Sequence, residues 1–121
     1  MKQTKTAHNA MNNAVGSARL GLKTALYAHV GGDLNGQRIM QALQQEQVDR
    51  RYIVVEKNKP TAGSVVINFH AERTILVHHV NYKYKLPVVT KTKWFYLTSM
   101  GHNFLPLYQA VAKRTRKTGE L

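Results

Sequence analysis

The residues with most chemical potential in this chain are two asparagines near its start, three glycines around Asp33, and six histidines. Asn9 and Asn12 each carry an amide donor and an amide acceptor. They open a segment lined with Ala, Gly and Ser, where an asparagine can also simply satisfy helix-start backbone donors. Gly31, Gly32 and Gly36 suggest a phosphate cradle, but no Gly-Lys-Ser/Thr ending follows them, so they do not make a P-loop. A structural turn leading into a helix is expected instead, with Asp33 as the cap. His78 and His79 are adjacent, so on a strand they point to opposite faces and cannot easily share a metal. The other histidines (His8, His29, His70 and His102) have no ligand spacing, and no metal site is expected. Nucleophilic catalysis finds no support, since the chain has no cysteine, no Gly-x-Ser-x-Gly and six carboxylates.

Periodicity indicates the elements that must position these groups. Asn9 to Leu20 reads as a helix with a small-residue stripe, Ala10, Ala14 and Ala18, stopped by Gly21. Thr24 to Val30 is a strand candidate ended by Gly31-Gly32. A helix then runs from the Asp33 cap to about Gln47, with Ile39, Met40, Leu43 and Val48 on its buried side. Tyr52 to Glu56 is a second short strand, and Asn58-Lys59-Pro60 is a turn. Ser64 to Phe69 and Thr74 to Val80 form a hairpin joined by His70-Ala71-Glu72-Arg73. Strand alternation places Ser64, Val66 and Asn68 on one side, and Ile75, Val77 and His79 together on one side of the partner strand. Pro87 breaks an irregular stretch. Trp94 to Leu97 reads as a buried strand, with Ser99 at its end, either a turn residue or placed where parallel sheets bind ligands. Phe104 to Lys117 is a final helix with Leu105, Tyr108, Val111 and Ala112 at helical spacing, and Pro106 in its first turn. Helices alternating with strands imply an α/β fold with a parallel sheet, the hairpin forming a small sheet of its own.

The 121 residues fit one domain, and a hydrophobic fraction of 43% supports a core. Without cysteine there are no disulfides or thiolate metal sites. The apolar runs are too short to cross a bilayer, and the basic start, Met1 to Thr6, is not followed by an apolar stretch. A cytoplasmic protein without membrane association is expected. The formal net charge is +12, enough to attract polyanions whatever the fold. The basic residues do not interleave with aromatics as a stacking platform would. A solvated basic surface, or attraction of an anionic substrate, is the favoured reading. The alternative is a small basic nucleic-acid-binding protein, whose positive face would combine the tail helix with Lys83 to Lys93.

Four segments taken in order are similar to one family. Asn12-Asn13-Ala14-Val15-Gly16-Ser17-Ala18-Arg19-Leu20-Gly21 resembles the first signature of PfkB/ribokinase-type carbohydrate kinases. Val30-Gly31-Gly32-Asp33-Leu34-Asn35-Gly36 looks like their Val-Gly-x-Asp-x-x-Gly turn. Gln45-Glu46-Gln47-Val48-Asp49 resembles the stretch before their second core strand, often Glu-Gly-Val-Asp. Pro60-Thr61, Ser64-Val65-Val66-Ile67 and Glu72-Arg73-Thr74-Ile75-Leu76 are similar to their pair of lid strands.

The resemblance implies a ribokinase-like three-layer α/β/α core with a projecting β-hairpin lid at about residues 61–80. It implies an ATP- and magnesium-dependent transfer of phosphate to a sugar or nucleoside hydroxyl. Asn12, Asn9 and the lid residues Ser64, Val66 and Val77 would line the sugar pocket, with Ser99 as a further contact, and the lid could also join two copies. Arg73 either reaches toward an anionic substituent or flanks the hairpin. Ala7-His8 stand where the family has Gly-Gly. The family's Asp-Thr-x-Gly-Ala-Gly-Asp stretch, which carries the anion hole and the catalytic base, does not occur among the 121 residues. The chain is therefore expected to be an incomplete kinase domain, without catalytic residues or the ATP-binding part, that neither binds ATP tightly nor acts alone.

Overall fold

A computed structural model describes residues 9–118, so Ala7 and His8 lie outside the described residues. The chain forms two compact units, the first ending at Val80 and the second beginning at Asn81. The first contains α1 (Asn9–Arg19), β1 (Ala28–Gly31), α2 (Leu34–Gln45), β2 (Ile53–Glu56), β3 (Gly63–Phe69) and β4 (Glu72–His78). The second contains α3 (Leu105–Thr118).

The alanine stripe of α1 does what its spacing predicts. Ala14 is buried, and Ala10, Met11, Val15 and Ala18 pack against a cluster of Leu26, Val30, Ile39, Leu43 and Val48. Leu43 is 0% exposed; Met40, expected on the same side, is only half-buried. α1 stops at Gly21, where φ is +89. There the Leu22 N–H donates to the Ser17 carbonyl and the Gly21 N–H to the Ala18 carbonyl, the paired bonds of a Schellman stop. α2 ends with the same pair, Val48 N–H to Leu43 and Gln47 N–H to Gln44. Here, however, the left-handed position holds Gln47, at φ 58. A Cβ in that conformation costs about 1 kcal/mol.

β1 is shorter than the expected strand. It begins at Ala28, after a single parallel bridge between Ala25 and Asp49. β1 and β2 pair in parallel, Ala28 opposite Ile53 and Gly31 opposite Glu56, and α2 is the crossover that joins them. β3 and β4 form a separate antiparallel sheet. Phe69 pairs with Glu72, so the hairpin loop is only His70-Ala71, tighter than the four-residue connection the sequence suggests. His70 has φ 51, the positive φ that a two-residue hairpin turn needs at its first central position.

The second unit corrects two expectations. Residues 79–104 contain no helix or strand, so Trp94 to Leu97 is not a buried strand. Trp94 is 74% and Tyr96 71% exposed. An extended segment becomes a strand only when a neighbour takes its backbone hydrogen bonds, and no described strand pairs with this one. α3 forms as expected but buries Leu107 and Val111, one helical turn apart; Leu105 is 54% exposed. The Tyr108 hydroxyl donates to the Thr98 carbonyl. Arg114 donates to the Thr90 carbonyl at 2.8 Å and lies over the Phe95 ring.

Two substitutions test this account by denaturant unfolding. Gln47→Gly should stabilise the chain by about 1 kcal/mol, because glycine takes the left-handed position freely. Leu43→Ala should destabilise it by about 3 kcal/mol, since it empties the most buried position of the core.

Candidate functional site

The hairpin is rooted by a joint between the Gly31–Gly36 turn and the loop after β2. Asp33 caps α2, its Oδ1 accepting from the Gly36 N–H at 2.9 Å. The other oxygen, Oδ2, accepts from the Thr61 N–H at 2.9 Å. The Thr61 hydroxyl donates to Asp33 Oδ1 at 2.5 Å and accepts from the Gly31 N–H at 2.9 Å. Thr61 is buried and lies two residues before β3, so the joint fixes where the hairpin leaves the core. These bonds, those to Thr61 first, hold the Asp33 carboxyl down to about 2, because each favours the ionised form.

The glycines serve this joint. A Cβ on Gly31 would stand 2.3 Å from the Lys59 carbonyl oxygen, and one on Gly36 would stand 2.1 Å from the Gly31 carbonyl oxygen. The room they leave is taken by the chain's own backbone, so the turn does not fit a nucleotide phosphate. Among the described residues, no group of three or more His, Asp or Glu side chains is placed to hold a metal ion.

On the hairpin, Ser64 lies directly opposite Val77, and Val66 opposite Ile75. Ser64, Val66 and Val77 therefore share one face, as alternation predicts. Val66 and Val77 are exposed and Ser64 half-buried. Asn9 and Asn12 lie one turn apart at the start of α1, both exposed, on the side away from the buried Ala14. The structure thus groups the sequence-derived residues of the first unit into a hairpin set and a helix-start set. Ser99 belongs to the second unit and is not at a strand end, because the strand expected before it does not form.

Sequence reasoning missed a part-buried polar relay across the parallel pair. The His29 side chain is 4% exposed, with Nδ1 3.0 Å from Glu56 Oε1. Its Nε2 lies 2.9 Å from the Tyr27 hydroxyl. Nδ1–H donating to the carboxylate while Nε2 accepts from the hydroxyl satisfies all three groups. Tyr27 and His29 at alternate strand positions were the available signal, but Glu56 joins them only through the β1–β2 register.

The joint sets a pH dependence. The Asp33 pKa is lowered on folding, so its contribution is complete above the unfolded carboxylate value of about 3.9. It is lost as pH falls from there through about 2. Stability measured between pH 5 and pH 2 should therefore fall more steeply in the wild type than in Asp33→Asn; equal slopes would contradict the joint.

Comparison with known proteins bears on what this arrangement belongs to. The sequence pattern of pfkB family carbohydrate kinases matches residues 7–113. An uncharacterized sugar kinase of Pyrococcus horikoshii is 44% identical over 50 residues, which are 41% of this chain and 16% of that protein. Its crystal structure matches with a TM-score of 0.53 at 37% identity, over 56% of this chain and 23% of that one. The same kinase in complex with ATP matches equally well, with 22% of its chain covered. Fructokinase from Vibrio cholerae in apo form matches with a TM-score of 0.55 at 32% identity, over 60% of this chain and 25% of that one. Its form with fructose, ADP and calcium ion matches with a TM-score of 0.50 at 31% identity, over the same shares. The chain therefore spans about a quarter or less of these relatives' own length. Their fold is ribokinase-like, and the parallel pair, its crossover helix and the separate hairpin are part of such a fold. The match over residues 7–113 covers most of the sequence, and the chain belongs to the pfkB family of carbohydrate kinases.

Proposed function

We propose that this chain is the sugar-facing and lid portion of an ATP-dependent carbohydrate kinase. The intact enzyme transfers the γ-phosphate of ATP to a hydroxyl of a sugar or nucleoside, with magnesium. The observation that carries this reading is the single hairpin face bearing Ser64, Val66 and Val77, rooted through Thr61 on the Asp33 cap. A lid needs that combination of an anchored base and an uncovered working face. Asn12 and Asn9 present amides to sugar hydroxyls, Ser64 adds a hydroxyl contact, and Val66 and Val77 exclude water. Excluding water suppresses transfer of phosphate to water in place of the sugar. The relatives solved with ATP, and with fructose and ADP, support the substrate and cofactor classes. This portion does not catalyse the transfer alone, and its place is the cytoplasm. The opposite hairpin face, with Val65, Ile67, Phe69 and Leu76 exposed, suits pairing with a second copy.

A second reading has one observation in its favour. Arg114 bonds to Thr90 and lies over Phe95, which sets the basic end of α3 beside the stretch holding Lys91 and Lys93. That is the positive face a small nucleic-acid-binding protein would use.

Calorimetric titration with a panel of sugars and nucleosides, and with a DNA oligomer, at two salt concentrations separates the two. One sugar or nucleoside should bind saturably and independently of salt, and Asn12→Ala should weaken it by about tenfold. Binding of DNA alone, falling steeply with salt, would overturn the sugar reading and favour the second.

A further inference from the structure

Between α2 and β2 lies an open cleft of about 690 Å³ that none of the lid or asparagine residues lines. That volume falls within the range of about 300–1,000 Å³ common for small-molecule sites. Its floor is apolar, with Val30, Met40 and Val55. One wall is the α2 face carrying Gln37, Gln41 and Gln44, spaced at i, i+4 and i+7 so that their amides point the same way. Arg50 and Lys57 bring two positive charges, and no carboxylate lines the cleft. Arg50 is held by a bond from Nη1 to the Met40 carbonyl at 3.1 Å, and neither cation has an ion pair among the described residues.

We propose that this cleft is a second binding site, for a small phosphorylated molecule with a flat apolar body. The anion would lie against Arg50 and Lys57, the body on Met40 and Val55, and its polar edge against the glutamines. A pre-ordered guanidinium and a free ammonium are well suited to a phosphate, which they meet through charge-assisted hydrogen bonds. Gly31, Gly36 and Lys57 line the cleft, and Gly31 and Gly36 also belong to the joint that roots the hairpin. A ligand there therefore stiffens the base of the lid, which couples the two sites energetically. The proposal does not depend on which substrate the lid covers.

The test titrates the full chain with AMP, adenosine and inorganic phosphate, by calorimetry and by amide hydrogen exchange. AMP should bind at one site, with adenosine and phosphate each at least about tenfold weaker. Lys57→Gln should weaken AMP by about tenfold, and Gln41→Trp, which fills the cleft from the surface of α2, should abolish binding. AMP should slow exchange at the Gly31, Gly36 and Thr61 amides, and Asn12→Ala should leave AMP binding unchanged. Both cleft variants should keep the wild-type thermal midpoint, since both side chains are exposed. Absence of AMP binding, binding at several sites that Lys57→Gln does not weaken, or equal binding of adenosine would each overturn the proposal.

Discussion

Asp33 and Thr61 form the contact on which the arrangement of the first unit depends. One carboxylate accepts a free N–H of the first turn of α2, that of Gly36, and both donors of Thr61, while the Thr61 hydroxyl accepts from the Gly31 N–H. Four hydrogen bonds thus satisfy polar groups that would otherwise be stranded at a helix start, a strand end and a loop. The close approach this requires is possible only because Gly31 and Gly36 have no side chain. Helix start, strand end and hairpin root are thereby held at one point, although the root lies about thirty residues along the chain from the other two.

The rest of the unit serves that point. The alanine face of α1 and the branched residues of α2 and β1 enclose Leu43, and this core gives the joint a rigid base. The hairpin beyond it buries little and exposes apolar residues on both faces. Such a two-stranded ribbon is marginal by itself and derives its orientation from its root. Exposed apolar faces on an anchored ribbon suit a surface that closes on a ligand or on another copy. The Tyr27–His29–Glu56 relay adds a second link between β1 and β2 that apolar packing does not provide.

Much of this was legible in the residues. Asp33 as a helix cap, Gly21 as a helix stop and the shared face of Ser64, Val66 and Val77 follow from local geometry, in which neighbours along the chain decide the outcome. The role of Thr61 was not legible, because its partners lie on a turn almost thirty residues earlier. The length of the hairpin loop was not legible for a related reason: it depends on the Phe69–Glu72 pairing, and a register shift of two residues leaves the same side chains on the same face. Ser99 was placed by inference from a strand at Trp94 to Leu97. Apolar character alone cannot make a strand there without a neighbour to pair with.

The sequence by itself determined which segments are helical, where they stop, and which residue types crowd around the Gly31–Gly36 turn. It also determined the family, since four motifs in order are a property of the chain as written. Only the tertiary structure decided that Thr61 closes on Asp33, that His29 meets Glu56, and that Arg50 and Lys57 border one cleft. The physical reason is range. Capping and helical or strand periodicity act over a few residues, whereas these contacts need a parallel register and a crossover to bring distant segments within hydrogen-bond distance.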